Sequence, residues 1–138
     1  MNIGFSKFLS LFYLGIERLI VWLRALIQDR VIRVLLLIAF VLQLAVWAAA
    51  IFLVHTIGTN LAVLHYNVVF GIDQIGDASL VYITPLFSLV VFCLNTFFTA
   101  YCLIKRERNA AFIFTVLNLM ISSFTLVAIY YYYLVNFS

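Results

Sequence analysis

No charged side chain occurs between Arg33 and Asp73, between Asp77 and Lys105, or after Arg108. A domain with a watery surface has no place for runs of this kind, whereas apolar stretches beyond about 20 residues are what a bilayer-crossing helix requires. Three such runs in 138 residues leave no room for a separate soluble domain. The expected fold is therefore an all-α integral membrane protein forming one membrane domain over 1–138. It should hold three transmembrane helices, an N-terminal amphipathic interfacial helix and an ordered outer loop. Composition agrees: 67% of the residues are hydrophobic and 9% charged, against about 25% charged in ordinary soluble domains.

The net charge of +3 does not point to nucleic acid. Its eight Lys and Arg residues fall into two clusters flanking apolar segments, which is how topology is set in membranes. A nucleic-acid binder needs a basic face on a folded surface. Cys93 and Cys102 lie nine residues apart on one expected helix. A rise of about 1.5 Å per residue separates them by roughly 13 Å, too far for a disulfide, so they read as small apolar residues.

Residues 1–30 lack the pattern of a signal peptide, because charges recur at Lys7, Glu17, Arg18, Arg24, Asp29 and Arg30 with no small-residue cleavage site. Phe5, Phe8, Leu9, Phe12, Ile16, Leu19, Ile20, Leu23, Leu26 and Ile27 follow a helical period, with Lys7, Ser10, Glu17, Arg24 and Gln28 opposite. An apolar stripe facing a polar one, with Trp22 and basic residues, suits a helix in the interface plane. Such a helix would either bind a surface or partner or simply anchor beneath the bundle.

The first span is expected at 34–55, started by Arg30 and Arg33 and ended by Gly58-Thr59-Asn60. Its Ala48-Ala49-Ala50 run permits close approach of a neighbouring helix. A loop follows at 58–84, in which Val63 to Phe70 reads as a short strand or collapsed apolar segment bounded by Gly71 and Gly76. Loops beyond about 15 residues are usually functional or disordered, and this one is too rich in Val, Ile, Leu, Tyr and Phe for disorder. The second span, 85–104, is expected to start with Thr84 as N-cap and Pro85 as first helical residue. Lys105-Arg106-Glu107-Arg108 form a basic turn, and Asn109 is placed to cap the third span, 110–134. Tyr130 to Tyr133 suit an interfacial aromatic belt. Asn136-Phe137-Ser138 fits a glycosylation sequon, a weak signal.

Five Lys and Arg residues precede the first span, three separate the second from the third, and the intervening loop has none. The positive-inside rule then expects the N-terminus and the basic turn in the cytoplasm, and the loop and C-terminus outside.

Gln43, Asn95 and Asn118 each fall near the middle of a different span, where buried amides need partners. They would form an interhelical polar clasp or, in an oligomer, line a path for a small solute. No charged residue lies inside a span, which argues against a proton relay. On the outer side His55, His65, Asp73 and Asp77 are acceptable zinc ligands, but no closely spaced metal motif is present. Asp73 reads as a turn residue and Asp77 as the cap of a short helix. Neither a Ser-His-Asp arrangement nor a P-loop nor an intramembrane aspartate pair occurs, so no catalytic residue, metal or other cofactor is expected.

The stretch His65-Tyr66-Asn67-Val68-Val69-Phe70-Gly71-Ile72-Asp73-Gln74-Ile75-Gly76 resembles that of a group of uncharacterised small bacterial membrane proteins. These carry a His-Tyr-Asn-x-x-Phe-Gly-Ile-Asp-x-x-Gly loop between their first two spans. The likeness continues through Pro85-Leu86, Leu94-Asn95 and the basic turn, covering 64–109 and not the amphipathic segment. The group has no assigned activity, so the resemblance implies an architecture, a bacterial inner membrane and a loop of specific shape.

The expected role is a non-enzymatic membrane component that presents its extracytoplasmic loop for protein–protein interaction or self-assembly. The interaction residues would be His65, Tyr66, Asn67, Phe70, Gly71, Asp73 and Gly76. Its partners would be the lipid bilayer and another membrane protein or further copies of itself. The alternative is an oligomeric channel or transport accessory lined by Gln43, Asn95 and Asn118.

Overall fold

The computed structural model describes residues 3–58, 61–67 and 71–137, with side chains for 13–58, 61–64 and 74–137. In chain order it runs α1 (Ile3–Gln28), α2 (Arg30–Ile57), β1 (Leu61–Asn67), β2 (Gly71–Asp77), a 3-10 turn (Ala78–Tyr82), α3 (Ile83–Ile104) and α4 (Arg108–Phe137). Among the described residues, α2, α4 and the continuous helical stretch Ala78–Ile104 are long and apolar enough to cross a membrane.

The bundle packs along narrow seams. On α2 the buried positions are Ile32, Ala39, Gln43, Val46, Ala50, Leu53 and Ile57, and on α4 Ala111, Thr115, Asn118, Ser122 and Ile129. These steps of three, four and seven are the knobs-into-holes spacing of gently supercoiled helices. What fills the seam is mostly small or polar, while large apolar side chains such as Leu37, Phe52, Phe87, Phe124 and Val127 are more than half exposed. Lipid tails are as apolar as these side chains, so helices meeting in a membrane associate through close backbone approach and hydrogen bonds. Ring contacts between Phe98 and Phe114 and between Phe40 and Phe92 reinforce the α3–α4 and α2–α3 pairings.

The element ends differ from the sequence reading in instructive ways. α2 starts at Arg30, not 34, because Asp29 caps it: one carboxylate oxygen accepts from the N–H groups of Val31 and Ile32. It runs on to Ile57, where Gly58 (φ 69°) ends it. Thr84 is not the cap of α3. The 3-10 turn, capped by the Asp77 carboxylate accepting from Ser79 N–H, runs directly into the helix. Pro85 is thus the third residue of α3 rather than its first.

Asn109 does not cap α4 either. Arg106 adopts φ 64°, its N–H donates to Leu103 O, and Glu107 N–H donates to Cys102 O. This is a Schellman closure of α3 with arginine where glycine is usual. It brings Glu107 to the cap position of α4, where its carbonyl accepts from Ala111 N–H, and leaves Asn109 inside the helix.

The loop expected at 58–84 is largely an antiparallel hairpin. Gly71 and Gly76, expected as boundaries, are strand residues of β2. At Gly76 a Cβ would lie 2.7 Å from Leu64 Cδ1 and 2.9 Å from Leu80 Cδ1, so glycine admits those side chains.

Candidate functional site

The hairpin sits against one end of the bundle. Ala62, Ala78 and Val81 join Ala50, Leu53 and Ile57 of α2 and Ile129 of α4 in a buried cluster, with Leu64, Tyr82 and Tyr132 packed around it. Trp47 stacks on Tyr82 at 6.3 Å. Burial of this kind contributes about 25 cal/mol per Å² of apolar surface, and it orients one face of the hairpin towards the helices.

A second device holds the strand by its edge. The Asn136 side chain, on the last turn of α4, accepts from Val63 N–H at 2.8 Å and donates to Val63 O at 3.1 Å. It also donates to Tyr132 O, which fixes the amide's orientation. In an antiparallel pair, residues alternate between facing the partner strand and facing away with both main-chain groups. Val63 N–H and C=O are taken by Asn136, so Val63 faces away from β2. Its opposite residue, Ile75, must then point its own N–H and C=O to the outer edge of β2. The sheet has two strands among the described residues, and nothing pairs with that edge. Ile75 and Leu61 are well exposed, at 57% and 71%.

The ladder is irregular where the sequence is most distinctive. Val63 pairs with Ile75, His65 with Gln74, and Tyr66 with Ile72. Leu64 is therefore extra on β1 and Asp73 extra on β2, two offsetting bulges around the His65–Gln74 rung. Bulges of this kind re-aim side chains and raise local twist.

Of the expected interaction residues, His65, Tyr66 and Asn67 lie in β1, and Gly71, Asp73 and Gly76 in β2. The side chains of His65, Tyr66, Asn67 and Asp73, and the whole of Phe70, lie outside the described residues. Asp73 is the unpaired residue beside the His65–Gln74 rung, but Asp77 pairs with Leu61, four residues or roughly 13 Å farther along. Asp77 is also engaged: hydrogen bonds from Ser79 hold its carboxyl below the usual carboxylate range. His55 is exposed near the end of α2. Among the described residues, no three potential metal ligands gather.

The three mid-helix amides are all buried inside the bundle, but they do not bond to one another. Gln43 Oε1 accepts from Ser88 Oγ at 3.0 Å and from Ser122 Oγ at 3.2 Å, joining α2, α3 and α4 at one atom. Its Nε2 makes a long contact to Pro85 O, 3.5 Å. One layer along, Asn118 Nδ2 donates to Thr96 Oγ1 at 3.2 Å, and Thr96 Oγ1 in turn donates to Phe92 O. Beyond that, Thr99 and Thr115 approach to 3.5 Å. Each already donates its single proton to a carbonyl of its own helix, so their meeting is close packing rather than a bond. Two buried atoms are left without partners, Asn95 Nδ2 and Asn118 Oδ1, a donor and an acceptor.

The opposite end is tied by Asp29. Its second carboxylate oxygen accepts from Arg108 Nε at the start of α4, while Arg33 Nη1 donates to Ile27 O across the α1–α2 break. The bond from Arg108, with those from Ile32 and Val31, holds the Asp29 carboxyl below its ordinary range.

The sequence reading missed Asn136 as a clamp, along with Ser88, Thr96 and Asp29. A signal existed: Asn136 continues the α4 seam from Ser122 and Ile129 in steps of seven. Comparison with protein-family models, with curated proteins and with solved structures finds no match.

Proposed function

We propose that this protein is a non-enzymatic, multi-pass membrane component whose hairpin is a docking element for another protein or a second copy of the chain. Positive-inside charge bias supports a cytoplasmic N-terminus and an extracytoplasmic hairpin and C-terminus. The resemblance of the loop to that of small bacterial membrane proteins supports an inner membrane. α1 follows α3 from the Trp22–Phe97 contact towards Leu103 and Arg106, and its charged side suits the cytoplasmic end of the bundle.

One observation carries the reading: β1 is locked at its free edge by Asn136, while the edge of β2 is open at Ile75. An open strand edge on a soft loop invites indiscriminate pairing. On a loop held by a buried cluster and a two-way amide clamp, it is a preformed template for strand addition, in which main-chain bonds give affinity and flanking side chains give specificity. A channel between copies would need its polar lining on the bundle exterior. Gln43, Asn95 and Asn118 are instead 2%, 9% and 1% exposed inside one bundle.

The test is co-purification of tagged protein from native membranes. Ile75→Pro removes the outward N–H from a position that gives none to β1, so the hairpin should persist and the partner be lost. Ile75→Val should retain it. Equal recovery of the partner with Ile75→Pro would overturn the reading.

A further inference from the structure

At the end of the bundle remote from the hairpin, a cleft of about 410 Å³ opens between α1 and the close of α3. Val21, Ala25 and Leu103 contribute its apolar walls, and Arg24, Gln28 and Arg106 its polar ones. A second hollow of about 260 Å³, beside Trp22 and Phe97, lies farther along the same two helices. Neither arginine has an ion-pair partner among the described residues. The carboxylate next in sequence, Glu107, is exposed and pairs with neither. Asp29 is already engaged by Arg108.

Arg106 also sits where arginine is costly. Its φ of 64° is the left-handed conformation that side chains with a Cβ avoid, and glycine would serve the Schellman closure better. Strain of this sort at a cleft points to the side chain's use rather than the backbone's. Two unpaired guanidinium groups over an apolar floor match one chemistry, a phosphate headed by water and tailed by hydrocarbon.

We propose that this cleft binds an anionic phospholipid, with Arg24 and Arg106 on its phosphate, Gln28 on its polar headgroup and acyl chain along Val21, Ala25 and Leu103. The site is separate from the hairpin and does not depend on its role.

The test is native mass spectrometry of the full chain released from nanodiscs of equimolar phosphatidylcholine and phosphatidylglycerol. The wild type should retain phosphatidylglycerol by about tenfold or more over phosphatidylcholine, the size expected of two basic residues at one phosphate. Arg24→Gln with Arg106→Gly should bring the preference within about twofold. Because glycine suits the left-handed position, that loss cannot be put down to a strained turn. Arg30→Gln, outside the cleft, should leave the preference intact. No preference in the wild type, or an equal loss with Arg30→Gln, would replace the site with diffuse surface charge and overturn the proposal.

Discussion

An asparagine amide carries a donor and an acceptor side by side, the same pair that a strand residue offers along its edge. Asn136 uses both on Val63 and a second donor hydrogen on Tyr132. Asn136→Ala leaves two main-chain groups of Val63 without partners, at about 1–3 kcal/mol. The expected result is faster amide hydrogen exchange at Val63 and a lower unfolding temperature in detergent. Two of the three mid-helix amides, Gln43 and Asn95, should behave oppositely to each other. Gln43→Leu deprives the Ser88 and Ser122 hydroxyls of their shared acceptor and should cost about 1–2 kcal/mol. Asn95→Leu removes a buried donor that has no partner, so it should be neutral or stabilising by about 1 kcal/mol. Chemical unfolding of both variants in one detergent checks the contrast. A larger loss for Asn95→Leu would mean that its Nδ2 is satisfied after all.

At the scale of elements, the two ends of the bundle are closed by different chemistry. The α3–α4 turn is a backbone device, and Arg106→Gly should stabilise it by about 1 kcal/mol by relieving the left-handed arginine, measured as a raised unfolding temperature. The α1–α2 junction is a charge device. The Asp29 carboxyl is held below its ordinary value by Arg108, so its contribution is full above the usual carboxylate range of about 4 and lost as pH falls through the lowered value. Unfolding temperatures from neutral to acid pH should therefore show a loss below about pH 4 that Asp29→Asn abolishes, since asparagine still caps but holds no charge. The existence and order of the helices were legible because charge-free runs and basic clusters follow from bilayer physics. Their ends were not. Asp29, read only as one charge among several, caps α2, and Arg106 takes the place glycine would have marked. Local signals at Thr84 and Asn109 were overridden by a 3-10 turn and a Schellman closure. The second strand was hidden by its two glycines, which ordinarily weaken strands. Here Gly76 makes room for Leu64 and Leu80.

On the scale of the whole molecule, the chain is turned inside out relative to a soluble domain: amides and hydroxyls inside, large apolar side chains outside. The polar seam runs between the helices, Asp29 and Arg108 join two of them at one end, and Asn136 and the apolar cluster seat the hairpin at the other. For the proposed docking role, that rigidity would make the open β2 edge a preformed template, so that little ordering entropy would oppose the addition of a partner strand. The most direct measurement places a photo-crosslinking residue at the exposed position Gln74 and irradiates native membranes. The expected result is a discrete adduct, with one protein or with a second copy, that disappears when Ile75→Pro is added to the same chain. Adducts to lipid alone, or a protein adduct that survives Ile75→Pro, would contradict it.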